Sequence, residues 1–317
     1  IVMRNIFEEY CIEQFDVQDT IAVNNGTSAL IAPLWSMDLK PDDEVITTPF
    51  TFIGTSNAIL IAGAKPVFVD INEDDFLIDP TKIEEAITDK TRAILPVHLF
   101  GQVCDMDSIM QIARLNNLVV IEDTAQSFSA EYTSYEGWTK MAGTIGDVGC
   151  FSFHKTKPMS TFEGGMITVN QNSRLDGDKI RSITNQGQVG KYNHEYLGFN
   201  FRLAEPLCLQ AYHNMKLHME GTKAELGKRN WRHGHYPKVV YDQPIYKKMG
   251  IKGDCPIAEK TAEKIKTIFN VGIGGGIVYA GIQLLKFANY LRTTIGVMAL
   301  LNFSCRSNCF KFSRVSR

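Results

Sequence analysis

The chain has 317 residues, of which 44% are hydrophobic and 21% are charged, and its formal net charge at pH 7 is -2. This length and composition are typical of a globular enzyme with one large domain, or with a large and a small domain. The charge provides no overall attraction to nucleic acid or to an anionic membrane surface, so we expect neither as a partner.

The cysteines indicate a protein with reduced thiols. They are seven in number and scattered, and none has the Cys-x-x-Cys spacing of a zinc site. The first residues do not combine a basic segment with an apolar core, as a secretory signal would. We therefore expect a cytoplasmic location and no bound metal.

Short apolar segments alternate with segments of helical period between about residues 20 and 170. The apolar segments predict strands at residues 20–24, 44–48, 66–71, 92–98, 118–123, 148–153 and 165–169. Helices are predicted at residues 27–39, at 82–87 after an N-cap at 79–81 with proline at the first helical position, and at 106–115. This alternation is typical of an α/β fold with a mainly parallel sheet flanked by helices, in which ligands bind beyond the carboxyl ends of the strands.

The last 47 residues have a different composition. Residues 271–317 contain six basic side chains and no acidic one, and they begin with a glycine-rich, uncharged stretch of 15 residues. That stretch is shorter than the roughly 20 apolar residues of a membrane-spanning helix, so we do not expect it to cross a membrane.

Three motifs follow predicted strands. Asn25-Gly26-Thr27-Ser28 turns into a helix, where backbone N–H groups and two hydroxyls can bind a phosphate, although a simple helix cap is the alternative. Asp123 ends an apolar strand and suits a metal, a ribose, a protonated ring nitrogen or, again, only a cap.

The third motif contains two lysines, Lys155 and Lys157, just after the strand at residues 148–153. A buried lysine is costly unless it is neutralised or used covalently, for example to form an imine, but lysines in such a loop can also simply face water. A phosphate site, a strand-end aspartate and a strand-end lysine are together what pyridoxal 5'-phosphate (PLP) requires.

In order and spacing these motifs resemble the DegT/DnrJ/EryC1/StrS family of sugar aminotransferases. The resemblance runs from about residue 17 to 216, and more weakly from about 236 to 268. Its most specific pieces are residues 25–30, 122–127, 146–153, 156–157, 163–165 and 198–202. It implies the PLP-dependent transferase fold of type I, with a reduced small C-terminal domain.

The resemblance implies roles for the residues at one end of the cofactor. Thr27 and Ser28 would bind the phosphate together with Ser152. Phe52 would stack on the pyridine ring, although without the resemblance it reads equally well as a core phenylalanine.

It also implies roles at the reactive end. Asp123 would pair with the ring nitrogen, Gln126 would lie near the ring hydroxyl, and Lys157 would be the Schiff-base lysine and the proton shuttle. Asn200 would reach the phosphate of the neighbouring subunit, which implies a homodimer with shared active sites. His98 also fits the family pattern, but we expect a packed, hydrogen-bonded histidine without a catalytic role.

The implied function is transfer of an amino group from an amino acid such as glutamate to a nucleotide-linked keto-sugar, in cell-surface polysaccharide or amino-sugar biosynthesis. One alternative is a non-catalytic, truncated member of the family. Another is a PLP-dependent sugar dehydratase, although in those relatives a histidine replaces the lysine that is present here.

The resemblance also predicts the domain organisation. Residues 1–216 would form the PLP-binding large domain, residues 217–270 a remnant of the small C-terminal domain, and residues 271–317 an atypical tail that contributes little to the core. The family's N-terminal segment and the first half of its small domain would be missing. Lys155, Pro158 and Phe162 stand where the family commonly has proline, asparagine and glycine.

Overall fold

The computed structural model describes residues 2–221 and 236–271. The chain divides into two compact units, Ile1–Ile265 and Lys266–Arg317. Of the second unit only residues 266–271 are described, and they end a helix. The predicted tail therefore lies outside the described residues, apart from its first residue, and so do residues 222–235 of the predicted remnant domain.

A central sheet contains all seven predicted strands, each with bounds within three residues of the prediction. In chain order the strands of the described residues are β1 (Asp19–Val23), β2 (Glu44–Thr47), β3 (Lys65–Phe68), β4 (Thr91–Leu95), β5 (Val119–Asp123), β6 (Glu131–Thr133), β7 (Thr139–Met141), β8 (Val148–Ser152), β9 (Gly165–Val169), β10 (Gln188–Gly190) and β11 (Asn193–His194).

The central sheet has the order β1-β9-β8-β5-β4-β2-β3. Only β9 runs against its neighbours, β1 and β8. The five strands β8, β5, β4, β2 and β3 are parallel to one another. This confirms the predicted α/β fold with a mainly parallel sheet. Two small hairpins, β6–β7 and β10–β11, lie outside it.

The strands read as continuous apolar runs because helices cover both faces of the sheet. Ile46, Ile94 and Ile121, on three neighbouring strands, are all fully buried. The helices of the described residues are α1 (Val2–Phe15), α2 (Gly26–Ser36), α3 (Ile53–Ile61), α4 (Pro80–Ile83), α5 (Met106–Leu115), α6 (Gly177–Thr184), α7 (Glu205–Gly221), α8 (Pro244–Lys248) and α9 (Pro256–Val271).

The predicted helices are present, and two of them are shorter than predicted. The prediction at 106–115 coincides with α5, and that at 27–39 corresponds to α2. The prediction at 82–87 becomes α4 followed by a single 3-10 turn, with Asp79 accepting the Thr81 N–H as the N-cap. Helix α3 was not predicted, because its buried residues lie on several sides and give no amphipathic period.

Residues 236–265 belong to the same compact unit as the sheet. The Tyr246 hydroxyl lies 2.9 Å from Ser56 Oγ on α3. The Asp70 carboxylate accepts hydrogen bonds from the N–H groups of Ile257 and Ala258, at 2.9 and 2.8 Å, and so caps α9. The division at residue 216 stays a prediction.

No helix in the described part of the chain combines the length and the hydropathy needed to cross a membrane.

Candidate active site

A cavity of about 620 Å3 opens beyond the carboxyl ends of β1, β2, β4, β5 and β8. This is the position at which parallel α/β sheets bind ligands. Seven of the eight predicted site residues line it, namely Thr27, Ser28, Phe52, Asp123, Gln126, Ser152 and Lys157. The eighth, Asn200, is exposed and is not among the lining residues.

The N-terminus of α2 forms one end of the cavity. Asn25 caps the helix, with its side-chain Oδ1 accepting the Ser28 N–H at 2.8 Å. The N–H groups of Gly26 and Thr27, at the first two helical positions, have no acceptor within the helix and point outward. A Cβ on Gly26 would lie 2.7 Å from the Cβ of Ser152, so glycine is needed to bring the helix against the end of β8. The result is a site for an anion.

Asp123 lies at the base of the cavity and is 4% exposed. Its Oδ2 accepts a hydrogen bond from Thr55 Oγ1 at 2.8 Å, and its Oδ1 accepts the Ala125 N–H at 3.1 Å. Burial raises the pKa of the carboxyl, and the two hydrogen bonds oppose this shift. A buried carboxylate in this setting favours a cationic partner.

Thr55 was missed by the sequence analysis. It lies four residues after Thr51, with 3.0 Å between the two hydroxyl oxygens, and both line the cavity. The Thr-x-x-x-Thr spacing was the available signal, but it required knowledge that a helix starts at Ile53.

The two lysines of the third motif have different environments. Lys157 lines the cavity, whereas Lys155 is exposed. Burial lowers the pKa of the Lys157 amine, and the negative charge of Asp123 opposes this shift. A lower pKa increases the neutral fraction that can act as a nucleophile.

Phe52 is not a core residue. Its side chain is 60% exposed, and it lies at the start of α3 on the wall of the cavity. A Cβ on Gly54 would lie 3.0 Å from the Phe52 ring and 3.1 Å from Thr27 Oγ1, so Gly54 lets these two groups approach. Stacking of the ring on a ligand stays a prediction.

Gln126 is held in the cavity wall by two hydrogen bonds. Its Oε1 accepts the Phe100 N–H at 3.3 Å, and its Nε2 donates to the hydroxyl of Tyr236. Tyr236 also lines the cavity and was not predicted. The only sequence signal was that the weaker part of the family resemblance begins at this residue.

The loop after β8 brings two further unpredicted residues to the cavity, His154 and Glu163. His154 Nε2 lies 3.8 Å from Glu163 Oε1. Phe162, which stands where the family commonly has glycine, has a φ of 70°. That left-handed conformation costs a non-glycine residue about 1 to 2 kcal/mol, so the loop retains the backbone shape that glycine would favour.

A buried network lies behind Asp123. His98 is fully buried, as expected, and its Nδ1 accepts the Cys104 N–H, so its Nε2–H is the group that donates to Glu122 at 2.9 Å. Glu122 is also fully buried. Its carboxylate accepts three more hydrogen bonds at 2.7 to 2.8 Å, from the N–H groups of Gly143, Ile145 and Gly146.

We expect Glu122→Gln to lower the free energy of unfolding by about 2 to 4 kcal/mol, because an amide nitrogen cannot accept the backbone N–H groups that it would face. Chemical denaturation measures this loss. Glu136→Gln, an exposed position in the turn between β6 and β7, is the matched control and should leave stability unchanged. Equal stability of the two variants would show that the network contributes little.

The groups around the cavity fit PLP. An anion site at a helix N-terminus suits its phosphate, a buried carboxylate suits its protonated ring nitrogen, and a lysine with a lowered pKa suits its aldehyde.

The model of the DegT/DnrJ/EryC1/StrS aminotransferase family matches residues 3–225. GDP-perosamine synthase of Caulobacter vibrioides is 35% identical over 291 residues, which cover 90% of this chain and 72% of that protein. Several other curated relatives are matched over 44% to 56% of their own length, so the chain spans about half of each.

Solved structures agree with these matches. S. venezuelae DesV, determined in complex with a ketimine intermediate, has a TM-score of 0.72 and 27% identity, over 82% of this chain and 81% of its own. An aminotransferase from Psychrobacter cryohalolentis has a TM-score of 0.61 and 37% identity, over 68% and 56%. The family is PLP-dependent, and the structural neighbours confirm the predicted transferase fold. The chain belongs to the DegT/DnrJ/EryC1/StrS aminotransferase family.

Proposed function

We propose that the chain is a PLP-dependent aminotransferase that moves an amino group from an amino acid, with glutamate the expected donor, to a nucleotide-linked keto-sugar. The observation that carries this proposal is the cavity that combines Lys157, Asp123 and the N-terminus of α2. The name of the Caulobacter relative contains a GDP-linked sugar, and another relative is named as an aminotransferase of a UDP-linked 3-dehydro sugar. These names support a nucleotide-sugar substrate in amino-sugar or polysaccharide biosynthesis.

When bound, PLP supplies a ring that accepts electrons from the substrate carbon. The N-terminus of α2, with the hydroxyls of Thr27, Ser28 and Ser152, would hold the phosphate. Asp123 would keep the ring nitrogen protonated, because the carboxylate is buried and stabilises a positive charge beside it.

Lys157 would hold the cofactor covalently and would then carry the proton to and from the substrate carbon. Its lowered pKa suits both roles, since the amine must be neutral to attack and to accept a proton. Phe52 would stack on the ring and Gln126 would lie near its hydroxyl, so that together they would keep the ring in place.

We further propose a homodimer in which Asn200 completes the site of the neighbouring subunit. Asn200 is exposed and stands apart from the cavity of its own protomer, which is compatible with a role across an interface. The five cysteines of the described residues are free and buried, which is compatible with the proposed cytoplasmic location.

The two half-reactions test this proposal separately. Protein loaded with PLP is mixed with single amino acids, and conversion of the cofactor to pyridoxamine phosphate is followed by absorbance. Nucleotide-linked keto-sugars are then added, and the amino-sugar product is identified by mass spectrometry. Conversion of the cofactor by an amino acid followed by a mass increase in the sugar is the expected result. A wild-type protein that binds PLP but transfers no amino group would favour the non-catalytic alternative.

A further inference from the structure

Tyr236 connects the C-terminal part of the described chain to the cavity. Its ring is 9% exposed and packs edge-on against Phe50, with 5.6 Å between the ring centroids. The same ring lies 6.5 Å from that of Phe100. The side chain is therefore fixed by aromatic packing on the large domain, although it is distant in sequence from every motif described above.

The hydroxyl of Tyr236 is placed by two residues of the cavity wall. Gln126 donates its Nε2–H to the hydroxyl oxygen, and the Phe52 backbone lies close enough to the phenol to oppose the rise in its pKa. Because the Gln126 carbonyl accepts the Phe100 N–H, the carboxamide cannot turn over without losing that hydrogen bond. Burial and the charge of Asp123 raise the pKa of Tyr236, so the phenol keeps its proton at neutral pH.

The order of the strands decides which part of a bound pyridine ring this wall would face. Thr27 and Ser152 follow β1 and β8. Gln126 follows β5 and accepts the N–H of Phe100, which lies beyond β4, and its partner Tyr236 packs on Phe50, just after β2. Asp123, at the end of β5, lies between the two groups. The anion site and the Gln126–Tyr236 pair are therefore on opposite sides of the Asp123 carboxylate.

The covalent structure of PLP then determines which wall the ring hydroxyl would face. The phosphate arm and the hydroxyl stand on either side of the carbon that carries the aldehyde, and the ring nitrogen is opposite that carbon. With the phosphate at α2, the nitrogen at Asp123 and the aldehyde at Lys157, the hydroxyl must point to the remaining wall, where Gln126 and Tyr236 lie.

We propose that Tyr236 is a positioning residue of the cofactor site, whose hydroxyl orients the Gln126 carboxamide and forms with it the polar wall that recognises the ring hydroxyl of PLP. The proposal rests on the function proposed above. It assigns a direct role in cofactor recognition to a residue of the C-terminal segment, 110 positions from its hydrogen-bond partner.

The test compares Tyr236→Phe with Tyr241→Phe. Tyr241 is a matched control because it lies in the same segment, is also buried, and has its hydroxyl bonded to Glu259 at 2.6 Å, away from the cavity. The dissociation constants of PLP and of 3-deoxypyridoxal 5'-phosphate, which lacks the ring hydroxyl, are measured by absorbance titration of the apo-proteins.

We expect Tyr236→Phe to weaken PLP binding about 10-fold, which corresponds to roughly 1.4 kcal/mol, and to leave binding of the 3-deoxy compound within about 2-fold of wild type. The control should bind both compounds as wild type does. Unchanged binding of the 3-deoxy compound also shows that the variant is folded around the cavity.

Two results would overturn the inference while leaving the proposed function intact. In the first, Tyr236→Phe binds PLP as tightly as Tyr241→Phe does. In the second, it weakens both compounds equally, which would mean that the Tyr236 hydroxyl supports the cavity without recognising the ring hydroxyl. A wild-type protein that bound neither compound would instead overturn the proposed function together with this inference.

Discussion

Lys157→Ala is expected to lower the rate of amino transfer by about 10⁴-fold or more, because the variant loses both the covalent attachment of the cofactor and the group that moves the proton. The measurement is a single-turnover assay with excess amino acid. Lys157 lines the cavity with a pKa that burial lowers, so its loss removes the reactive amine itself.

Lys155→Ala is the matched control for this experiment. Lys155 lies two residues away in the same loop, but its side chain is exposed and does not line the cavity. We expect turnover within about 2-fold of wild type, as for most exposed substitutions that leave the backbone unchanged. Loss of activity in the Lys155 variant with retention in the Lys157 variant would reverse the assignment.

Asp123→Asn should reduce turnover by about 10²-fold or more, since an amide cannot keep the ring nitrogen protonated as a carboxylate does. The fold should tolerate the change. The Asn carbonyl can accept the Ala125 N–H, and its amide can donate to Thr55 if the Thr55 hydroxyl donates to Thr51 instead. Near-normal turnover would mean that Asp123 only caps the end of β5.

The same variant gives an expected pH dependence for the apo-protein. Because burial raises the pKa of Asp123 above 3.8, the folded chain binds this proton more tightly than the unfolded chain. The contribution of Asp123 to the free energy of unfolding is therefore fully present below that pH and falls as pH rises through the higher folded pKa. Asp123→Asn should remove this fall, so at neutral pH the apo-variant should be at least as stable as wild type.

Asp147→Asn is the control that shows whether loss of any buried carboxylate would have the effects expected for Asp123→Asn. Asp147 is 3% exposed, but it accepts the Val120 N–H at 2.7 Å and pairs with Arg174 at 2.8 Å, outside the cavity. Its substitution should lower stability while turnover per folded molecule remains close to wild type. If Asp123→Asn behaved in the same way, a structural role would account for both residues.

The strands of the central sheet could be predicted from the sequence, because buried parallel strands need continuous apolar runs, as in β5. It did not reveal the direction of β9, since an apolar run has no polarity that distinguishes parallel from antiparallel pairing. The β6–β7 hairpin was also missed, because its strands have three residues each and are largely exposed. Three residues are too few for the alternation on which strand prediction depends to be recognised.

The site residues that could be predicted from the sequence are those that lie at the ends of strands. Asp123 and Lys157 could be identified because each follows an apolar strand, and the family resemblance supplied their roles. Thr55 and Tyr236 could not, because their importance depends on contacts with Asp123 and Gln126 that lie 68 and 110 positions away along the chain. Contacts of this kind are decided by tertiary packing, on which a local pattern carries no information.

Borohydride reduction of the PLP-loaded protein, followed by peptide mapping, tests the central assignment most directly. Reduction fixes the cofactor on the lysine that holds it, and mass spectrometry of the peptide that contains both loop lysines locates the added pyridoxyl group. The structure predicts the group on Lys157, the lysine that lines the cavity with Asp123. A pyridoxyl group on Lys155, or none on any lysine after loading with PLP, would contradict this account of the site.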